Sequence, residues 1–350
     1  AGTNNRYNSF QIDGVVSNDV FGLSCDGTNG SQAGGNPISM DAIEQVQVVA
    51  SPFDVRQSGF TGGAINAITK SGTNKFTATA FGYYTNEDMY SRWNQSTGKE
   101  DKLTNQAVKT YGFTVGGPII KDKLFFFGSV ERKEQSYPSS YYAGMDGYFM
   151  TNELAEAIAK RYYEVTGIQE SWGRPDLETK STSQMARLDW NISSKTKFTL
   201  RYQHTRADKD NSSSGKYSYY FSNSGHKLSS RTNSFVAELT SHINDQLYNE
   251  LRVSGNFVRD HREVPYQGPT LYITNAGEYD VTTGQETSGT NSVNIGTGYQ
   301  AGINFVDQDI WTIEDNLSIY KGNHTITLGT HNEFYNMKRS RSEERFSRNA

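Results

Sequence analysis

The sequence is short of several residue types and patterns, and each shortage excludes a class of structure. A single cysteine, Cys25, cannot form a disulfide bond within the 350-residue chain. No apolar run approaches the roughly 18 residues of a membrane-spanning helix. The net charge of −4 lacks the basic excess of a nucleic-acid-binding protein. The first residues, AGTNNRYNSF, also lack the basic and apolar regions of a signal peptide.

The composition that remains favours β-structure. Apolar residues make up only 34% of the chain, but aromatic residues reach 13% and tyrosine alone numbers 22, which argues against disorder. A chain rich in Tyr, Gly, Thr, Ser and Asn with only 7 prolines is typical of strands and turns. The chain lacks an initiator methionine and ends abruptly at SRSEERFSRNA. We therefore expect it to be an internal segment of a longer protein.

Residues 1–74 differ from the remainder and predict a small α+β domain. YNSFQIDGVV reads as a strand that enters an Asp-Gly turn at Asp13–Gly14. The segment PISMDAIEQVQVVASPF places Ser39 as a helix N-cap before the strand Val46–Ala50, and a Gly-rich turn precedes the strand Ala64–Thr69. These elements are short and mixed, as in a compact domain.

From residue 75 onward, apolar and polar residues alternate with a period of two, which indicates long β-strands. In one segment, for example, Leu188 and Trp190 oppose Arg187 and Asp189. The nine predicted strands lie near 75–85, 107–117, 123–134, 183–192, 196–206, 232–243, 246–259, 309–320 and 323–335. Their length suits tilted strands that cross a bilayer.

The connections between these strands alternate between short turns and long stretches. The long ones cover roughly 86–106, 135–182, 207–231 and 260–308. This alternation is typical of an outer-membrane β-barrel, whose short turns lie on the periplasmic side. A soluble β-sandwich or a β-solenoid is the alternative, although sandwich strands are usually shorter. Asp315 conflicts with the barrel because it falls on an apolar face, which leaves a bulge, an interfacial position or an error of register as explanations.

Two motifs in the first domain resemble the plug of TonB-dependent outer-membrane receptors. NSFQIDGVV resembles the N-x-x-x-x-D-G strand of the plug, and MDAIEQVQVV followed by FTGGAINAITK resembles its last segment. Residues SPFDVRQSGF and GGPIIKDKLFFFGSVE are similar to the Oar-like branch. The matched plug positions include Asp13, Gly14, Glu44, Gly59, Gly62, Gly63 and Asn66.

The resemblance implies a fold and a function. It implies a mostly β protein, with the later part of a plug in residues 1–74 and about nine of an expected 22 antiparallel barrel strands in 75–350. It implies an outer-membrane location in a Gram-negative bacterium, contact with lipid, and energised import through TonB, whose binding segment would precede this chain. It also implies that Glu44 and Arg56 pair with inward-facing wall charges, for which Glu131, Arg187, Asp189, Arg201, Glu250 and Arg252 are candidates. Solvated charges without fixed partners are the alternative.

Glycines and the longer loops supply the remaining candidate residues. Gly59, Gly62 and Gly63 would permit tight turns with positive φ and close approach to the wall. Four residues at the plug apex and four loop tyrosines are candidate ligand contacts, namely Asn18, Asp19, Phe21, Asn29, Tyr141, Tyr142, Tyr219 and Tyr220. Tyrosine suits peptides and sugars, although an aromatic girdle at the membrane surface is an alternative role. Residues 151–168 predict a loop helix with Thr151 as N-cap and Gly167 as stop.

Catalytic and cofactor motifs are missing from the sequence. The six histidines show no metal-ligand spacing, and there is no nucleophile elbow or phosphate loop. We therefore predict no enzyme activity, no cofactor, no metal and no nucleic acid. The expected function is import of a scarce ligand, with peptide or carbohydrate favoured over an anionic metal chelate because the loops have many tyrosines and no basic cluster. A non-importing adhesin or structural barrel and a barrel enzyme are the alternatives.

Overall fold

The computed structural model describes residues 7–22, 24, 26–50, 60–90, 93–94, 99–100, 105–211, 214–274, 276, 291–298 and 304–340. The strands, in chain order, are β1 Ser9–Ile12, β2 Val15–Val16, β3 Ile43–Val49, β4 Ala64–Thr69, β5 Thr77–Asn86, β6 Trp93–Asn94, β7 Lys99–Glu100, β8 Ala107–Ile120, β9 Leu124–Pro138, β10 Asp176–Asn191, β11 Thr196–Asn211, β12 Ser218–Tyr220, β13 His226–Asn244, β14 Leu247–Glu263, β15 Thr270–Thr274, β16 Ser292–Gly296, β17 Phe305–Lys321 and β18 His324–Ser340. One α-helix, α1, spans Asn152–Thr166, and 3-10 turns lie at Ser31–Ala33, Met40–Ala42, Glu87–Met89 and Ser222–Ser224. Within the described residues, no helix is long and apolar enough to cross a membrane.

The first four strands form a small sheet, called the plug sheet here, in the order β2-β1-β4-β3. Strands β1 and β4 are parallel, whereas β1–β2 and β3–β4 are antiparallel. A small apolar cluster joins this sheet to the neighbouring wall, with Ile12, Ile38 and Ala42 on one side and Phe127 and Met185 on the other. The plug sheet therefore rests on the wall through a limited hydrophobic contact.

The wall is a nine-stranded antiparallel sheet in the order β18-β17-β14-β13-β11-β10-β9-β8-β5. All nine strands predicted from the alternation are present, which confirms the mostly β fold and the partial barrel. Several extend beyond their predicted ends on the long-loop side; β13, for example, begins at His226. Short turns join alternate strand pairs, and the long connections all emerge at the opposite end of the sheet.

The two faces of the wall have opposite chemistry. The face toward the plug sheet carries buried polar residues such as Ser183, Asp189 and Arg201. The outward face carries exposed apolar residues such as Leu188 and Trp190, as a lipid-facing band requires. The alternation predicted for these strands therefore places the polar residues in the barrel interior.

Asp315 lies in this outward band without any local irregularity. Strands β14, β17 and β18 pair without a register shift around it, so the bulge and the register error are wrong as explanations. Its Oδ1 accepts a hydrogen bond of 2.7 Å from Nδ2 of Asn249, which also faces outward. A side-chain partner on the same face thus satisfies one oxygen of the carboxylate.

Three of the four long connections fold into a separate structure, called the loop unit here. It contains α1 and a three-stranded sheet in the order β12-β16-β15, and these elements come from three different connections. Its hydrophobic core comprises Ala143, Tyr148, Met150, Ala155, Ala159, Tyr162, Tyr219, Phe221, Ala276, Val293 and Ile295. Three segments that are distant in sequence therefore share one core.

The loop helix confirms the capping residues expected for it. Thr151 accepts a hydrogen bond of 3.2 Å from the amide of Leu154, and Gly167 ends the helix in the left-handed conformation with φ of 73°. The buried side chains Ala155, Ala159 and Tyr162 recur at helical spacing, so one face of α1 packs into the loop unit.

Removing the cap should loosen the first turn of α1. We expect Thr151→Ala to destabilise the helix by about 1 kcal/mol, because one amide of the first turn loses its acceptor. Amide hydrogen exchange should then be several-fold faster at Leu154 than in the parent protein. Unchanged exchange there would contradict the capping role.

Candidate functional site: plug–wall contacts and a cleft at the long loops

The plug sheet presents a tight turn to the wall. Asp13 and Gly14 both have positive φ, of 50° and 77°, which joins β1 to β2 as a two-residue hairpin. The amide of Gly14 donates a 2.9 Å hydrogen bond to Oδ1 of Asn66 on β4. A Cβ at Gly14 would lie 3.0 Å from Nη1 of Arg252, so glycine permits close approach of the turn to the wall.

The Asp13 carboxylate joins the plug sheet to the wall. Within the plug, it accepts hydrogen bonds from the amide of Thr69 at 2.8 Å and from the Thr69 hydroxyl at 2.9 Å. Nη1 of Arg201 on the wall lies 3.0 Å from its Oδ2, and Nη1 of Arg187 lies 3.7 Å from its Oδ1. Arg201 is only 2% exposed, so Asp13 supplies the counter-charge of a buried cation.

Arg187 on the wall forms a second contact with the plug sheet, at Thr69. Nη1 of Arg187 donates to both the carbonyl and the hydroxyl oxygen of Thr69, at 3.0 and 2.8 Å. The other nitrogens of the same guanidinium donate to Asp189 at 2.8 and 3.0 Å, so the side chain is held in place from the wall side. Arg187 thus bridges its own sheet and the end of β4.

Arg252 lies beside the plug turn in an acidic part of the wall. It forms ion pairs with Glu238 at 2.8 Å, Glu250 at 2.9 Å and Glu314 at 3.1 Å. Among the wall charges suggested by the sequence, Arg187 and Arg201 meet a plug carboxylate, whereas Arg252 pairs within the wall. The ion pairs of Arg252 are charge-assisted hydrogen bonds, which are stronger than hydrogen bonds between neutral groups.

Two predicted plug roles differ in the structure. Ser39 occupies the N-cap position of the 3-10 turn Met40–Ala42, as expected, but its side chain makes no capping hydrogen bond. Its hydroxyl instead donates a 2.6 Å hydrogen bond to Oε2 of Glu131 on the wall. Glu44 is exposed on β3 and forms no ion pair within the described part of the chain. The nearby Arg56 and Gly59, like Cys25, lie outside the described residues.

Gly62 and Gly63 do not adopt the positive φ expected for them. Their amides donate to Tyr7 O at 2.8 Å and to Asn8 Oδ1 at 3.1 Å, which fixes the entry to β4. A Cβ at Gly63 would lie 3.2 Å from the carbonyl oxygen of Val49. Close approach between backbones, and not an unusual φ, is thus the reason for glycine at Gly63.

Residues of the predicted plug apex mainly stabilise their own loop. Asn18 accepts from the amide of Phe10 at 2.7 Å and donates to Asn8 O at 2.6 Å. Asp19 accepts from the amides of Phe21 and Ser24, and Asn29 is buried. Of the four candidate contacts, Asn18, Asp19 and Phe21 remain partly exposed.

A large cleft lies between the loop unit and the ends of the wall strands. Its volume is about 630 Å³, which is within the range of small-ligand sites. Aromatic and polar side chains converge on it, including Tyr141, Trp172, Tyr220, Asp176, Asn211 and His226. Burial and the nearby positive charge of Arg262 lower the pKa of His226. None of the four plug-apex candidates lines this cleft.

The four candidate tyrosines have different positions. Tyr141 and Tyr220 line the cleft and are partly buried. Tyr142 lies under the guanidinium of Arg174, with 5.1 Å from Cζ to the ring centre. Tyr219 also borders the cleft, but it is only 2% exposed and belongs to the core of the loop unit, where burial raises its pKa. Its main role is therefore to pack the loops.

Sequence reasoning missed two important residues of this region. Trp172, which is 40% exposed at the cleft, lies in the unpatterned segment SWGRPD. Glu170 is only 3% exposed and joins three segments. Its Oε2 accepts from the hydroxyl of Ser222 at 2.8 Å and the amide of Asn223 at 3.0 Å, and its Oε1 accepts from the amide of Gly296 at 3.0 Å. Gly173 and Pro175 indicate a turn nearby, but no pattern in the sequence singles out Trp172 or Glu170.

A metal centre is not present among the residues that the structure describes, since no cluster of three His, Cys, Asp or Glu side chains has suitable geometry. The site is instead a set of polar plug–wall contacts together with an aromatic cleft. Such an arrangement can hold the plug sheet against the wall and bind a ligand in the cleft.

Comparisons with known proteins agree with this architecture. Residues 68–145 and 150–349 match the family described as outer membrane beta barrel domain. The chain is similar to the TonB-dependent transporter Oar of Myxococcus xanthus, with 30% identity over 131 residues, which is 36% of this chain and 11% of that protein. The chain thus matches only a small part of that relative.

Solved structures show the same fold at low sequence identity. The outer membrane transporter YddB from Escherichia coli has 14% identity and a TM-score of 0.58, covering 95% of this chain and 40% of its own. The alcaligin outer membrane receptor FauA from Bordetella pertussis has 11% identity and a TM-score of 0.52, covering 95% of this chain and 48% of its own. The chain therefore belongs to the outer membrane beta barrel domain family.

Proposed function

We propose that this chain is part of an importer in which a ligand binds at the cleft and TonB then moves the plug. Residues 1–74 would supply the plug and residues 75–350 the wall and outer loops. The observation that carries the proposal is the way the plug sheet is attached, through a few polar contacts such as Asp13 with Arg201 and Ser39 with Glu131, beside a small apolar cluster. Contacts of this kind can be exchanged for water when the plug is pulled.

The cleft supports a peptide or carbohydrate as the ligand. Trp172, Tyr141 and Tyr220 offer flat aromatic surfaces, and Asp176 and Asn211 offer hydrogen-bonding groups. This mixture suits a neutral polar molecule, because sugars and peptides stack on aromatic rings and bond through their hydroxyl and amide groups. The relatives are named as transporters and receptors, and we propose transport without a chemical reaction.

The first test is to identify what the protein carries. The protein is purified from its native outer membrane, and co-purifying molecules are identified by mass spectrometry. A peptide or glycan at near-stoichiometric amount supports the proposal. A metal chelate would overturn the ligand class, and a stoichiometric protein partner without a small ligand would favour the alternative, a non-importing adhesin or structural barrel.

Removing the aromatic surface should weaken binding. We expect Trp172→Ala to reduce affinity for the co-purified ligand at least about tenfold, because one stacked aromatic contact is worth about 1 kcal/mol or more beyond its buried area. Tyr163→Ala is the matched control, since Tyr163 is 55% exposed on α1 and does not line the cleft. Calorimetry measures both. Equal losses in the two variants would show that the cleft is not the binding site.

Import itself needs a separate measurement. Uptake of the labelled ligand by cells should stop when TonB is deleted or the proton gradient is collapsed, while binding at the cell surface persists. Binding without uptake in the parent strain would favour the adhesin, since both functions share the cleft but only import needs the plug to move.

A further inference from the structure

Three arginines lie side by side on the outward face of the wall and form what we call the arginine row. Arg206 on β11 is the register partner of Arg231 on β13, and Arg231 is the register partner of Arg259 on β14. Their chain neighbours Ser230 and Val258 are buried on the opposite face, so the arginines face away from the plug. Neighbouring strands are about 4.8 Å apart, so the three arginines leave the sheet side by side.

The central charge of the row lacks a carboxylate. Arg206 forms an ion pair with Asp208 at 3.0 Å, and Arg259 forms ion pairs with Asp309 at 2.6 Å and Asp307 at 3.8 Å. Asp307 is also shared with His261, 2.9 Å away. Arg231 is exposed and forms no ion pair within the described residues.

Two like charges directly opposite a third destabilise neighbouring strands unless an anion offsets them. Arg231 meets this condition on both sides, because each of its register partners is an arginine. An anionic group above Arg231 would also be within reach of the two flanking side chains, of which Arg206 is 51% and Arg259 is 36% exposed. The row therefore has the form of an anion site that is open toward the outside of the wall.

The height of the row on the wall identifies the source of that anion. Toward the short turns, the next outward side chains are His204, Asn233 and Phe257, and Phe235 and Trp311 follow them. The rings of Phe235, Phe257 and Trp311 pack together with centroids 5.1 to 6.2 Å apart. Such an aromatic cluster is typical of the edge of the lipid-facing band. A tilted strand climbs about 2.5 Å per residue, so Arg259 lies about 30 Å above the β13–β14 turn, just beyond an apolar band about 25 Å tall.

We propose that the arginine row binds the phosphate groups of anionic lipid in the outer leaflet. Guanidinium groups bind phosphate oxygens in a bidentate manner, and three of them on adjacent strands can hold one or two phosphates at the headgroup level. The lipid would neutralise Arg231 and relieve the repulsion across β11, β13 and β14. The binding surface lies on the outer side of the wall, separate from the ligand cleft.

Lipid binding can be measured with the purified protein in neutral detergent. The probes are bisphosphorylated lipid A, the same lipid after removal of both phosphates, and inorganic phosphate, each titrated by native mass spectrometry or calorimetry. We expect lipid A to bind at least about tenfold more tightly than its phosphate-free form, and inorganic phosphate to compete only weakly. Equal affinity for the two lipids would overturn the proposal, and inorganic phosphate binding as tightly as lipid A would replace it with a site for a soluble anion.

A pair of variants tests the assignment to Arg231. Arg231→Gln should reduce lipid A affinity at least about tenfold, whereas Arg161→Gln, which removes an exposed cation of α1, should leave it unchanged. Unchanged affinity in Arg231→Gln would overturn the proposal. If Arg231→Gln does not fold, the comparison of the two lipids on the parent protein still tests whether the arginine row binds lipid phosphates.

Discussion

Asp13→Asn should detach the plug sheet from the wall more effectively than any other single change of charge in residues 7–74 that the structure describes. The variant keeps the size of the side chain and an oxygen for the Thr69 amide, but it leaves Arg201 buried without its counter-charge. Breaking a buried ion pair by removing one partner costs about 3–5 kcal/mol. The plug sheet should lose this stability and the wall should not, because the wall keeps its own backbone hydrogen bonds between strands.

Hydrogen exchange followed by mass spectrometry is the suitable measurement, since residues 1–74 contain no tryptophan to report on the plug by fluorescence. Amides of β1 and β4 should exchange at least a hundredfold faster in Asp13→Asn, while those of β10 and β11 change little. Asp26→Asn is the control, because Asp26 is an exposed plug carboxylate. Equal protection of β1 in Asp13→Asn and the parent protein would exclude Asp13 as an attachment point.

A double variant separates the pair energy from other effects. Asp13→Asn combined with Arg201→Gln should be more stable than Asp13→Asn alone, because it removes the orphaned buried charge. The interaction energy from the four proteins then measures the coupling of the two side chains. Additive losses would mean that the ion pair contributes nothing of its own.

Glu170→Gln should disrupt the loop unit. The carboxylate accepts three hydrogen bonds, from Ser222, Asn223 and Gly296, and glutamine would turn an amide donor toward at least one of these donors. Hydrogen bonds to charged groups contribute about 1.5–3 kcal/mol, and an unsatisfied buried donor costs a similar amount. We therefore expect a loss of about 2–4 kcal/mol in the local stability of the loop unit.

The loss should be visible as faster exchange of α1 and β16 amides and as earlier proteolysis of the loops. Glu164→Gln is the matched control, because Glu164 is an exposed helix residue paired with Arg161. Ligand affinity should fall in Glu170→Gln, since the cleft includes Trp172 and Ser222 from the segments that Glu170 joins. Full protection of β16 in this variant would show that the hydrophobic core alone holds the loops.

The sequence predicted the wall well because each strand meets lipid on one face and water on the other. The alternation stops where both faces are polar, and for this reason β13 was predicted from 232 although it begins at His226. The sequence predicts the plug strand Ala64–Thr69 with its correct bounds and Ser39 at an N-cap position. It does not predict the hydrogen bond of the Ser39 hydroxyl to the wall, because Glu131 is 92 residues away.

Sequence patterns do not predict the loop unit, because its core joins segments that are distant in the chain. Tyr219 and Tyr141 look alike as residues of tyrosine-rich loops, but the shared core of three connections buries Tyr219 and leaves Tyr141 partly exposed at the cleft. The role of Glu170 depends equally on segments that are distant in the chain. The ligand contacts of Asn18, Asp19, Phe21, Asn29 and the tyrosines stay predictions.

The origin of the loop unit from three separate connections also imposes an order on biogenesis. Residues 141–171 can pack against β12 and β16 only after the intervening strands β10 to β14 have paired. Before that, the long unpaired chain between these segments makes their contact entropically unfavourable. The outer loops should therefore become protease-resistant only late in membrane assembly. A cell could use that late event to distinguish a finished barrel from a stalled one.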